Sequence, residues 1–155
     1  MAFELNLQTE HVGHVRGSQP PSFPPDATIR QVLDAMQETR RGSVFICDSD
    51  GKLVGIFTER DALKLMAAKS DLDEPVSSVM ADNPVSVSET DTVGESIKRM
   101  SKGGYRRLPI VDDDNKPAGL VKASEILHYL VAHFPEFVYN LPPRPDQSNP
   151  QREGA

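Results

Sequence analysis

Apolar positions along this chain recur at two spacings, and the same order of spacings is met twice. In "TIRQVLDAMQETRRG", Ile29, Val32, Leu33 and Met36 fall on one face of a helix. Thr28 with Gln31 has the form of a capping box, and Gly42 offers a left-handed stop. An apolar strand, "SVFICD", leads into the turn "SDGK", a second strand, "LVGIF", and a helix, "ERDALKLMAA". The second pass begins with Val93, Ile97 and Met100 as a helical stripe. Thr92 and Glu95 form its box, and Gly103 and Gly104 its stop. "RRLPIVD", "DDNK", "AGLV" and "SEILHYLVAHF" then repeat strand, turn, strand and helix. A short strand ahead of each unit, "VSV" at 85–87 in the second, completes β-α-β-β-α.

The two passes align without a gap at a shift of 64 residues. Pro20 meets Pro84, Thr28 Thr92, Met36 Met100, Ile46 Ile110, Asp48 Asp112, Lys52 Lys116, Gly55 Gly119 and Leu63 Leu127. The fold class is α/β (α+β), with repeats over 20–70 and 84–134 joined by a linker over 71–83. A single repeat of about 50 residues buries little core, whereas two stacked sheet to sheet share one. Residues 1–19 form a separate segment, where alternating Phe3, Leu5 and Leu7 allow a short strand. Residues 135–155 read as a proline-rich, partly disordered extension. Just before and within it, Phe134, Phe137, Val138 and Tyr139 are expected to pack on the repeats or present a partner surface.

Composition narrows the function classes. The 155 residues carry a net charge of -6, which disfavours broad binding to a phosphate backbone but not a local basic pocket. The single cysteine, Cys47, cannot form an internal disulfide, which fits a reducing cytoplasm. No apolar run approaches a membrane span, and "MAFELNLQTEHV" lacks the layout of a signal peptide. His11 and His14 have H-x-x-H spacing without a recognisable further ligand set, so no metal site is expected. Asp112, Asp113 and Asp114 fall at a hairpin turn. No nucleophile with a base and no acid–base pair emerges, so the chain is not expected to be an enzyme.

"GIFTERD", residues 55–61, holds the candidate chemistry. Thr58 and Asp61 stand three apart where a strand becomes a helix. They can serve purely as a cap, with Thr58 accepting from the backbone N–H of Asp61. The same helix N-terminus attracts a phosphate, a hydroxyl there can donate to it, and a carboxylate one turn in can accept from ribose hydroxyls. Gly55 would let the strand pass close to a flat base. Arg106 and Arg107, at a strand start, are an anion clamp if they face Thr58 across the repeats, and otherwise a solvated strand end or partners in ion pairs with Asp112 to Asp114.

With "GSVFICDSDGKLVGIFTERDAL" and "YRRLPIVDDDNKPAGLVKASEIL" as its strand–hairpin–helix segments, the chain resembles a tandem pair of CBS (cystathionine-beta-synthase-like) domains, a Bateman module. The resemblance covers about residues 20–134. It implies a pseudo-twofold pair with two clefts and a regulatory, non-catalytic ligand sensor for AMP, ADP, ATP or S-adenosylmethionine. It also implies a head-to-head homodimer acting on an effector protein. Thr58 would then contact phosphate and Asp61 ribose. Ile56 and Phe57 would wall the adenine, Val85 would flank it, Arg106 and Arg107 would reach the phosphate, and Ser124 would be a further contact. Lys122 and Glu125 replace the threonine and aspartate in the second repeat, implying a second, weaker site; alternatively they pair with each other on the helix. Leu63, Met66, Ile126, Leu127 and Leu130 are candidates for the dimer face or for core. The alternative function is a structural or protein-interaction module without ligand binding.

Overall fold

The computed structural model describes residues 7–133. Phe3, Leu5 and the extension from Phe134 onward lie outside them. The first repeat runs β1 (Ser22–Phe23), α1 (Ile29–Thr39), β2 (Ser43–Cys47), β3 (Leu53–Thr58) and α2 (Glu59–Ala67). β4 (Ala81–Asp82) leads into the second repeat: β5 (Val87–Ser88), α3 (Val93–Gly103), β6 (Arg107–Val111), β7 (Pro117–Lys122) and α4 (Ala123–His133). One sheet has the order β1-β2-β3-β4 and the other β5-β6-β7. The repeat holds at the level of single pairings. Phe23 lies beside Ile46 and Val87 beside Ile110, and both hairpins shift register at the same place, between Ile46 and Cys47 and between Ile110 and Val111.

Local chemistry explains the shared elements. Thr28 Oγ1 accepts from the Gln31 N–H at 3.1 Å, and Gln31 Oε1 accepts from the Thr28 N–H at 3.0 Å, so the α1 box is complete. In α3 only half of the box forms: Thr92 Oγ1 takes the Glu95 N–H at 3.1 Å, while Glu95 turns to Arg99 at 3.2 Å. Both hairpins are tied by one aspartate. Asp48 Oδ1 accepts from the N–H groups of Asp50 and Lys52, and Asp112 Oδ1 from those of Asp114 and Lys116, all at 2.9 Å. That contact employs the first carboxylate of the Asp112–Asp114 run within its turn. The left-handed residue ending α1 is Arg40, with φ 53°, not Gly42, whereas α3 ends on Gly104 as its sequence suggests.

The segments ahead of the repeats differ from expectation. Residues 7–9 are helical rather than extended, and Leu7 packs against the second repeat's core. Val12–Val15 forms a 3₁₀ turn, and Gly17 bridges to Leu120 at the edge of the second sheet. Val76–Ser78, inside the expected linker, forms the matching turn, and Ala81 pairs with Ile56 at the edge of the first sheet. Val12 and Val15 are buried with Val93, Leu108 and Val121, while Val76 is buried with Ile29, Val32 and Phe57. Each entry segment therefore completes the other repeat.

Between the sheets, Phe45, Leu53 and Ile56 pack on Leu120, with Cys47 and Val111 at the margin. Burial raises the Cys47 thiol above its ordinary range, as expected of a structural thiol. One hairpin also bonds to the other: the Leu53 N–H donates to Asn115 O at 2.9 Å, and Asn115 Nδ2 to Leu53 O at 3.1 Å. Among the described residues no helix is long and apolar enough to cross a membrane. On the helical faces Leu63, Met66 and Leu127 stay exposed, whereas Ile126 is buried and Leu130 packs against the second core.

Candidate functional site

At the β3–α2 junction, Asp61 Oδ2 accepts from the Thr58 N–H at 2.9 Å and from the Thr58 hydroxyl at 3.2 Å. The observed side-chain contact is the carboxylate receiving from Thr58, so the threonine hydroxyl acts as a donor. Thr58 is extended, with φ -124° and ψ 170°, the non-helical conformation of an N-cap residue. Glu59 and Asp61 both lie in the first turn, where negative side chains suit the helix dipole.

Arg107 reaches this junction from the other repeat. Its Nη1 donates to Gly42 O at 2.7 Å. The same carbonyl accepts the N–H of Glu59, the first residue of α2, at 3.1 Å. The guanidinium thus lies at the N-terminus of α2, one residue from Thr58. Gly42 makes the approach possible: a Cβ there would stand 2.6 and 2.9 Å from Arg107 Nη2 and Nη1 and 2.9 Å from Glu59 Oε1. In the sequence alone this glycine has the form of a helix stop. The signal that could have found its role was the repeat offset, which sets Gly42–Ser43 against Arg106–Arg107.

The other expected contacts are placed unevenly. Ile56 lines the inter-repeat cluster, but the Phe57 side chain is fully buried among the core residues of the first repeat, so its backbone alone is left to a ligand in the cleft. Space beside Gly55 is taken by Met80, whose Cγ and Cε would lie 3.0 Å from an added Cβ and whose Sδ would lie closer. Gly55 therefore accommodates a core side chain. Val85 precedes β5 and is 39% exposed, an apolar side chain open to solvent. Arg106 is exposed, and its carbonyl accepts the Ala123 N–H at 2.9 Å. Ser124 is exposed in the first turn of α4.

The equivalent place in the second repeat is built differently. Glu125 does not cap α4 as Asp61 caps α2. Its carboxylate lies over Gly17, with Oε1 and Oε2 2.6 and 2.8 Å from where a Cβ would be, and Oε2 is buried without a hydrogen-bond partner among the described residues. Lys122 ends β7 directly opposite Arg107 and forms no pair with Glu125. By the 64-residue offset Ser43 stands where the second repeat has Arg107, and it is buried. No group of three potential metal ligands occurs among the described residues.

A family model described as "CBS domain" matches residues 12–68 and 76–132. A 17.7 kDa protein of Acidianus ambivalens is 34% identical over 107 residues, 69% of this chain; the chain spans 65% of that relative's length. A CBS domain protein of Pyrobaculum aerophilum, solved in complex with AMP, superposes with a TM-score of 0.71 at 25% identity. That match covers 79% of this chain and 98% of the other. The CBS domain pair of protein MJ0100, solved with 5'-methylthioadenosine and S-adenosyl-L-methionine, gives a TM-score of 0.73 at 23% identity. There the match covers 81% of this chain and 98% of the other.

Proposed function

Since the chain belongs to the CBS-domain family, with two copies in tandem, we propose that it is a non-catalytic regulatory module sensing an adenosine-containing ligand in the cachet of residues around the β3–α2 junction. The Pyrobaculum relative with AMP and the MJ0100 pair with S-adenosylmethionine support that ligand class. The observation that carries the reading is Arg107 of the second repeat bonded to the Gly42 carbonyl at the head of α2. A guanidinium, a helix N-terminus and a hydroxyl then converge where a ligand phosphate would lie. Asp61 would exchange its bond from the Thr58 hydroxyl for bonds from the ribose hydroxyls. Ile56 and Val85 would flank the base, with Gly55 and Phe57 contributing backbone, and Arg106 and Ser124 would lie at the rim. The second cleft, where Lys122 and Glu125 replace the threonine and aspartate, would be weak or empty.

A ligand touching both repeats favours the arrangement that holds Arg107 against α2. It signals only if another arrangement binds it less well. Leu63 and Leu127 occupy equivalent positions on α2 and α4 and are 67% and 59% exposed. With Met66 they offer an apolar face for a cytoplasmic homodimer, through which an effector protein would be reached. Calorimetric titration of AMP, ADP, ATP and S-adenosylmethionine tests the reading. It expects one ligand per chain, and binding that weakens at least about tenfold in Arg107→Ala. Full binding by Arg107→Ala would remove the arginine from the site. Absence of binding by all four ligands would leave the structural or protein-interaction module.

A further inference from the structure

β6 and β7 place Arg107 and Lys122 directly opposite each other. Side chains at opposed antiparallel positions project to the same side of the sheet, with Cβ atoms about 5 Å apart, and like charges there repel. Both residues are half-buried, and neither enters an ion pair among the described residues. Among the described residues the Arg107 side chain bonds only to a neutral carbonyl, Gly42 O, and the Lys122 side chain makes no bond. Glu59 Oε1 comes near the guanidinium over Gly42, but Glu59 is exposed and pairs with neither cation. In the first repeat the corresponding opposed pair is Ser43 and Thr58, which is uncharged. Two unpaired cations side by side in a chain of net charge -6 are a poor design for folding and a good one for a polyanion.

We infer that Lys122 serves the first site and makes it selective for a nucleoside 5'-diphosphate or triphosphate over the monophosphate. The inference rests on the proposed adenosine site at the β3–α2 junction. Arg107, anchored at the head of α2, meets the phosphate nearest the ribose. Lys122, its cross-strand neighbour, supplies the charge for the next phosphate. Lysine suits that role because its ammonium is a mobile point charge with three donors, where a threonine would bring a single hydroxyl.

The test compares AMP, ADP and ATP by calorimetry on the full chain and on Lys122→Gln, Lys122→Arg and Lys116→Gln. Lys116, exposed in the β6–β7 hairpin, controls for charge alone. The wild type is expected to bind ATP or ADP about tenfold or more tighter than AMP. Lys122→Gln is expected to erase that preference while AMP affinity stays within about threefold, and Lys122→Arg and Lys116→Gln are expected to retain it. Inorganic tripolyphosphate should displace AMP from the wild type and lose that ability in Lys122→Gln. AMP binding as tight as ATP binding, or equal weakening of both in Lys122→Gln, would overturn the role of Lys122 and leave the site standing. Failure of AMP, ADP, ATP and S-adenosylmethionine to bind the wild type would overturn the site and this inference together. A circular dichroism spectrum unchanged in Lys122→Gln separates lost selectivity from lost folding, with Lys122→Arg as the variant that keeps the charge.

Discussion

Where β3 ends, the first repeat carries Thr58 and Asp61 in contact with each other, with Arg107 arriving from the second repeat. Where β7 ends, the second carries Lys122 beside Arg107, and a Glu125 whose carboxylate has turned over Gly17. The backbones around these two places match, down to the register shift in each hairpin. A duplicated fold thus sets two equivalent strand-to-helix junctions, while a few side chains make their chemistry differ. Glu125 turns its carboxylate over Gly17 instead of back to the head of α4, and a lysine in place of threonine cannot accept a hydrogen bond at all.

The proposed asymmetry can be attacked directly. Arg107→Ala removes the cross-repeat cation, and with it about 1.5–3 kcal/mol of charge-assisted bonding. Nucleotide affinity should fall about 10–100-fold in a titration, with far less change in the unliganded melting temperature. Gly42→Ala should weaken the ligand by a similar mechanism, since the new Cβ displaces the guanidinium. Grafting the first repeat's residues onto the second, as Lys122→Thr with Glu125→Asp, should leave the stoichiometry at one per chain. The first repeat has Ser43, not an arginine, at the position equivalent to Arg107. Two ligands per chain in that variant would show that the missing arginine does not matter.

The glycines sharpen the same comparison through stability. Gly119 has φ 150°, and a Cβ would meet Arg16 Cδ and Cγ at 2.5 and 2.7 Å, so Gly119→Ala should cost about 1–3 kcal/mol in denaturant unfolding. Gly55→Ala meets only the flexible Met80 side chain and should cost less. A smaller effect concerns Cys47. Burial raises its thiol above the ordinary 9.0, so its contribution to stability is present below that pH and is lost as pH climbs through the raised value. Alkylation at pH 8 should be slower than for a free cysteine, and the difference should vanish in denaturant.

Much of this was legible in the sequence because repetition and periodicity are local signals. The helical stripe of Ile29, Val32 and Met36, the Thr28–Gln31 box and the Asp48 and Asp112 turns all formed as their spacing suggested. What sequence could not give was contact between distant segments. Nothing near Val12 or Val76 says that each buries itself in the other repeat. Gly42 looked like a helix stop because its real neighbour, Arg107, is far along the chain. Gly55 looked like a place for a ligand because Met80 was not yet beside it. Phe57 alternates correctly for a strand, but which face of the strand meets the cleft is a tertiary fact.

The most direct test of the central claim is thermal melting of the wild type and Asp61→Ala, each with and without AMP, ADP, ATP and S-adenosylmethionine. A ligand at about 100 times its dissociation constant adds about 2.7 kcal/mol, a rise of roughly 5–10 °C for a chain of this size. The account predicts such a rise for the wild type with at least one of these ligands. It predicts little or none for Asp61→Ala, which stays folded and loses only its helix cap, about 1 kcal/mol. An equal rise in both proteins would contradict a ligand held at Thr58 and Asp61. No rise in either would return those residues to the role of a cap.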